Sequence, residues 1–239
     1  MSSPDTQTSA GASRESACQP VPKIASKKRF LLRIVITAIA LVIWFWTQSL
    51  LGARNNPSMP IGDALHNLTA PLNLYFHGAP RAANAVLILS SALIDAIGIF
   101  LLASWLFVGK LRPFLGLATL LVMRQIVQAL CSLPPPAGMI WHYPGFPSLL
   151  VTYGVSNDFF FSGHTAIAVF GATEVARLRR NWLTALAICV VIFEMATVIV
   201  LRAHYTMDVF AGLFAALWVA RAGEKLSAWI SPMIRKPSA

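Results

Sequence analysis

Charge is what this sequence lacks first. Only 12% of its residues are charged and only 9 of 239 are acidic, whereas an average soluble domain carries about 25% charged residues. With 56% hydrophobic residues and a mean hydropathy of +0.65, this excludes an ordinary soluble chain and places the protein in a bilayer. Cysteine is scarce too. Cys18, Cys131 and Cys189 have neither paired spacing nor neighbouring histidines, which argues against a disulfide scaffold or a zinc site. There is no His-Glu-x-x-His, no glycine-rich phosphate loop and no Gly-x-Ser-x-Gly around Ser162, so metal, nucleotide and serine-hydrolase chemistry have no signature. No repeat or second domain is visible.

What the chain does have is long apolar runs. A bilayer crossing needs about 20 apolar residues, and six stretches are expected to supply one: Ile34–Leu51, Ala83–Val108, Pro113–Leu133, Phe159–Ala176, Leu183–Leu201 and Thr206–Ala220. The expected fold is all-α, a polytopic bundle of six transmembrane helices. Residues 1–22 are polar and read as a disordered tail, 23–226 as the membrane domain and 227–239 as a short tail. The run after the Lys23–Arg33 basic cluster is too long for a signal peptide and lacks a clear cleavage site, so it reads as a retained helix. Four prolines break Gly52–Arg81, leaving room for a short interfacial helix over Asp63–Leu74. The loop Pro134–Asn157, with Trp141 and Tyr143, suits the headgroup layer.

The formal net charge of +10 is distributed asymmetrically. Apart from Arg124, which lies inside the third span, the basic residues fall on one side of the six-span layout; only Arg54, Arg81 and Arg202 fall on the other. The positive-inside rule then puts both termini in the cytoplasm and the ends of spans three and five outside. The charge is a topological signal with some attraction to anionic lipid, and it gives no sign of nucleic-acid binding.

Two strings beside span ends carry chemistry: Ser162-Gly163-His164-Thr165 and His204-Tyr205-Thr206-Met207-Asp208. A histidine attacking phosphorus needs an acceptor to fix its tautomer, and the departing alkoxide needs an acid, often a second histidine. On a helix, a spacing of four would put His204 and Asp208 on one face, with the carboxylate orienting the ring. His66, His77 and His142 read as solvated or interfacial. Arg124 must be satisfied at its depth, either by Asp95 or Glu194 or by a substrate phosphate. Asp158 is read equally as a helix cap and as a substrate contact. Tyr205 is read first as a headgroup-level anchor and second as a headgroup contact.

The strings Asn157-Asp158-Phe159-Phe160-Phe161-Ser162-Gly163-His164-Thr165 and His204-Tyr205-Thr206-Met207-Asp208 resemble the paired motifs of sphingomyelin synthases, within the phosphatidic acid phosphatase type 2 superfamily. Arg124-Gln125-Ile126 followed by Leu133-Pro134-Pro135-Pro136 is similar to a third motif of that family. Phe159–His164 and Arg202–Thr206 most resemble the plant phosphatidylcholine:diacylglycerol cholinephosphotransferases, a branch of the same group.

The resemblance implies a superfamily-type helical bundle and a two-step transfer. His204 would attack the phosphodiester of a donor phospholipid, and His164 would protonate the departing diacylglycerol. A diacylglycerol or ceramide-like acceptor, deprotonated by His164, would then take the headgroup, of phosphocholine or phosphoethanolamine type. Arg124 or Arg202 would neutralise phosphate oxygens, N–H groups at the helix start near Thr206 could assist, and Asp158, Ser162 and Tyr205 would line the headgroup site. No metal or other cofactor is implied. Departures also count: Lys110-Leu111-Arg112-Pro113 has the wrong spacing for the lipid phosphatases, and Thr197-Val198 stands where they carry Ser-Arg. Of the synthase triplet before the Ser-Gly-His-Thr string only Asp158 matches, which leaves the acceptor lipid open. Besides transfer, two readings stand: a phosphatase or phospholipase-type hydrolase using the same residues, and a non-catalytic lipid-binding or transport protein.

Overall fold

Lys27–Gly52 forms α1, the first apolar run, whose Leu31, Val35, Val42 and Trp46 face outward. On a helix long enough to cross a bilayer, such a face is solvated by acyl chains rather than water. The structure is a computed structural model and describes residues 27–53, 61–153 and 159–235. Ala64–Leu68 (α2) and Ala70–Gly78 (α3) make a short kinked pair, broken at Thr69-Ala70-Pro71, where proline suits the first helical turn. Then come α4 (Pro80–Leu106), α5 (Leu111–Leu130), α6 (Gly163–Ala176), α7 (Asn181–Val200) and α8 (Thr206–Arg235). Among the described residues every regular element is a helix. The expected tail 1–22 lies outside the described residues, and α8 continues through Arg235 into what reads as the C-terminal tail.

Five of these helices, α1, α4, α5, α7 and α8, are long and apolar enough to cross a membrane. The expected fourth span is different. The Phe159-Phe160-Phe161 run is not helical, and α6 starts only at Gly163. Its 14 residues reach about 21 Å, short of the roughly 30 Å hydrocarbon core. Every residue from His164 to Gly171 is buried, because α4, α5, α7 and α8 all pack against α6. A helix apolar on all sides is stable where protein surrounds it.

Close approach is built with glycine. The Phe170 ring sits against Gly116 of α5, where a Cβ would lie 2.0 Å from its edge. At Gly212 of α8 a Cβ would lie 2.6 Å from the Ser162 carbonyl, so α8 crosses directly over the start of α6. Phe170 is fully buried, with Ile94, Leu101, Leu117 and Leu120 in the same core.

The segment 131–153 does not stay at the surface. Leu150 and Val151 belong to the core with Leu101 and Leu117, and Leu150 lies against Gly98, deep along α4. Irregular backbone at that depth needs protein partners. Asp95 of α4 supplies them, accepting from Leu149 N (2.8 Å), Leu150 N (2.9 Å) and Ser148 Oγ (3.1 Å). Trp141 Nε1 donates to Thr152 O at 3.2 Å, folding the segment back on itself. The loop expected at the headgroup layer is therefore re-entrant.

Candidate active site

His164 is the second residue of α6, and Ser162 fixes where that helix begins. Its Oγ accepts from Thr165 N at 3.3 Å and from Thr165 Oγ1 at 3.1 Å, an N-cap formed by the hydroxyl. His164 is buried edge-on against Trp141, ring centroids 5.1 Å apart, and its Nε2 has no hydrogen-bond partner among the described residues. His204 lies in the turn between α7 and α8, buried under Phe159. Both imidazoles line one narrow pocket of roughly 30 Å³, together with Arg124, Trp44, Trp141 and Phe159.

The tautomer of His204 follows from its neighbour. Nδ1 lies 2.7 Å from the Phe159 carbonyl, which can only accept, so Nδ1 carries the proton. In the neutral ring Nε2 is then the bare nitrogen. Asp208 does not orient the ring in the expected way, since His204 precedes the helix that carries Asp208. Asp208 Oδ2 accepts from Tyr205 N at 2.8 Å and stands 3.8 Å from Nδ1, too far for a hydrogen bond but close enough to stabilise an imidazolium. Its Oδ1 is buried with no hydrogen-bond partner among the described residues.

Arg124 donates from Nε to Phe161 O at 3.2 Å and from Nη1 toward Gln48 Oε1 at 3.4 Å, and its guanidinium lies 5.9 Å from the Trp44 ring centroid. Neither carboxylate expected for it is engaged that way: Asp95 holds the re-entrant loop, and Glu194 accepts from Ser90 Oγ at 2.6 Å. Gln48 and Trp44 bring α1 into the site, a contribution with no sequence motif.

Other expected residues do different work. Arg202 has φ of 54°, donates to Ala137 O and, at 3.4 Å, to His66 O, and does not line the pocket. Its guanidinium holds the loop. Tyr205 is buried, not an interfacial anchor; burial pushes its phenol up, and the neutral hydroxyl donates to Pro134 O at 3.0 Å. Asp158 lies outside the described residues. Two N–H groups at the start of α8 are already engaged, Tyr205 N by Asp208 and Thr206 N by Asp63.

Asp63 and His66 are the residues the sequence reading missed. Asp63 caps α2, accepting from Leu65 N (2.9 Å) and His66 N (3.2 Å), and reaches α8, accepting from Thr206 N and Oγ1 at 2.6 Å each. Burial pushes its carboxyl upward, but the bonds from Thr206 and His66 outweigh that and hold it below the usual carboxylate range. His66 is buried, and its Nε2 donates to His204 O at 2.9 Å. The carbonyl can only accept, which makes His66 a support for the His204 turn rather than a solvated residue. Asp63 preceding a helical run is a readable N-cap signal; nothing in the sequence signals its second helix. His77 and His142 are exposed, as expected.

This site falls within a family match. The family model described as AtPDCT1/2 covers residues 62–225, more than half of the 239-residue chain. The chain belongs to this family. It is 23% identical over 172 residues to phosphatidylcholine:diacylglycerol cholinephosphotransferase 1 of Arabidopsis thaliana, an alignment covering 72% of this chain and 54% of that protein. The chain thus spans about half the length of the curated relative it matches. The family match takes in Asp63, Arg124, His164 and His204 but not Trp44, which lines the pocket from α1, or Gln48, which accepts from Arg124.

The chain is therefore an all-helical, multi-pass membrane protein of a family to which a lipid cholinephosphotransferase is related. Among the described residues no three His, Cys, Asp or Glu side chains group closely enough to hold a metal ion.

Proposed function

We propose that this protein transfers a phospho-headgroup, of phosphocholine type, from phosphatidylcholine to diacylglycerol through a phosphohistidine on His204. The observation that carries the reading is the meeting of His164, His204 and Arg124 in one buried pocket. It is joined to a relative whose name states phosphatidylcholine and diacylglycerol.

In the first half-reaction the bare Nε2 of His204 attacks phosphorus. The bond from phosphorus to the diacylglycerol oxygen breaks, and His164 gives that oxygen its proton. In the second, an incoming diacylglycerol hydroxyl loses its proton to His164 as its oxygen attacks phosphorus, and the N–P bond breaks. Phe159 O keeps the Nδ1 proton in place, and Asp208 stabilises the cationic ring. Arg124 answers the phosphate charge in a water-poor pocket, where a fixed guanidinium counts for more than in solution. His164 Nε2, free of other described bonds, is a nitrogen able to move the proton.

The catalytic unit is assigned to residues 23–226. Membership of the phosphatidic acid phosphatase type 2 superfamily, a metal-independent mechanism, cytoplasmic termini and an outward-facing site complete the proposal. Ceramide as acceptor has only the motif resemblance behind it. A hydrolase using the same histidines is the second reading, distinguished by whether water resolves the intermediate.

The deciding experiment incubates purified protein with phosphatidylcholine labelled in its headgroup and diacylglycerol carrying distinct acyl chains. Label should appear in phosphatidylcholine bearing the acceptor's chains. Release of water-soluble phosphocholine without transfer would establish the hydrolase instead, and no turnover of either kind would favour a non-catalytic lipid-binding role.

A further inference from the structure

The end of the bundle away from the His pair carries a second concave surface. Arg112, Arg177, Arg179, Arg221, Glu224 and Trp218 line a groove of roughly 670 Å³ between α5, the α6–α7 link and α8. From Asp208 to Arg221 along α8 is about 20 Å at 1.5 Å per residue, so the groove is separate from the catalytic pocket and uses none of its residues.

Its charge is organised in two tiers. Arg112 is nearly buried, pairs with Glu174 and donates to Ala220 O at 2.7 Å; Glu224 pairs with Arg177 and lies 3.9 Å from Arg112. These pairs fix the floor. Arg179 and Arg221 are exposed, with no ion-pair partner among the described residues. Four guanidiniums face one carboxylate in the lining, and counting Glu174 beneath them still leaves a positive balance.

All four cations are arginine, whose planar fork suits phosphate oxygens two at a time, whereas a diffuse topological charge is met equally by lysine. Arg179 also holds φ at 53°, its N–H donating to Ala176 O at 3.1 Å. That left-handed position after a helix favours glycine, yet here it presents a guanidinium. Beside it Leu217 and Trp218 are exposed on α8, an apolar wall continuous with the lipid-facing side. Basic pockets between transmembrane helices suit anionic headgroups with the acyl chains left in the bilayer.

We propose that this groove binds a phospholipid with a net negative headgroup, drawn from the leaflet opposite the His pair. The shared chemistry is a phosphate held by Arg179 and Arg221 over a floor set by Arg112 and Arg177, and the lipid source is favoured by the Leu217–Trp218 wall.

The test uses full-length protein in phosphatidylcholine nanodiscs and in nanodiscs doped with phosphatidate, reading lipid retention by native mass spectrometry and competition with a fluorescent phosphatidate. Wild type should bind phosphatidate saturably and in preference to phosphatidylcholine, and inorganic phosphate should compete only weakly. The Arg179→Gln/Arg221→Gln variant, whose changes are both at exposed positions, should bind about tenfold or more weakly. Arg179→Lys/Arg221→Lys should fall between the two. His204→Ala should bind like wild type, keeping this result separate from the fate of the proposed transferase reaction. Equal binding by the Gln variant, full binding by the Lys variant, or inorganic phosphate competing as well as the lipid would each overturn the proposal.

Discussion

Replacing Asp208 with asparagine removes one charge from the site while keeping the shape and an oxygen for the Tyr205 N–H, so it isolates the electrostatic part of the mechanism. The carboxylate stands 3.8 Å from His204 Nδ1. At that separation an imidazolium and a carboxylate attract by about 4 kcal/mol with an effective dielectric near 20. In the proposed mechanism the attacking ring is neutral and becomes cationic once it carries phosphorus, so the attraction acts mainly on the intermediate and the transition states around it. Partial compensation by the Phe159 carbonyl reduces the effect, and kcat should fall about 100- to 1000-fold, equivalent to roughly 3–4 kcal/mol. KM should change little, because the charge is not needed to bind a neutral ring's substrate. The assay is headgroup exchange between phosphatidylcholine and diacylglycerol in mixed micelles, run beside His204→Ala, which should have no turnover, and His164→Ala, which should come close to none. A loss below about threefold would refute the argument that Asp208 stabilises the cationic ring.

Four further outcomes follow from the geometry. Asp63→Ala removes caps from α2 and α8 together and should cost about 1–3 kcal/mol in thermal unfolding in detergent. The contribution is present above the usual carboxylate range near pH 4 and lost as pH falls through the lower folded-state value, so wild type and variant should converge in acid. Gly212→Ala, whose Cβ would meet the Ser162 carbonyl, should destabilise by about 1–3 kcal/mol and lower turnover, and an unchanged melting curve would contradict the close crossing. Chelators should leave turnover unaltered; loss in EDTA restored by added metal would contradict the His-pair mechanism. In a cysteine-free background, Phe146→Cys should label with an impermeant maleimide in intact cells and Lys225→Cys should not, with the reverse pattern placing the site on the cytoplasmic face.

Much of the fold could be read in the sequence because bilayer crossing is a local property of about 20 residues. α4, α5 and α7 follow from their apolar runs alone, with ends shifted by a few residues. The Phe159–Ala176 run misled because hydropathy cannot tell residues in contact with lipid from residues in contact with protein: Phe159 and Phe161 are buried outside any helix, and α6 is buried inside the bundle. At the site, His164 and His204 stood out by their chemistry and come together in one pocket. The partner of His204 Nδ1 did not, since a backbone carbonyl has no side-chain signature. The same limit hid the second helix capped by Asp63 and the bond from His66 to His204 O, which join residues more than a hundred positions apart. Arg202 resembled a phosphate ligand by its place beside His204, but with its left-handed backbone it donates to the carbonyls of Ala137 in the loop and His66 in α2.

The shortness of α6 has a consequence for how the protein is made. A 14-residue helix entered by a non-helical phenylalanine run presents the translocation machinery with no full-length span, so it has little reason to partition into lipid by itself. α8 lies later in the chain, and its Gly212 makes the surface on which the start of α6 rests. The short helix that carries His164 thus acquires its walls only after α7 and α8 have been synthesised. Newly made chains truncated before α8 should have His164 with no settled place in the membrane, and the site assembles only once α8 has been made.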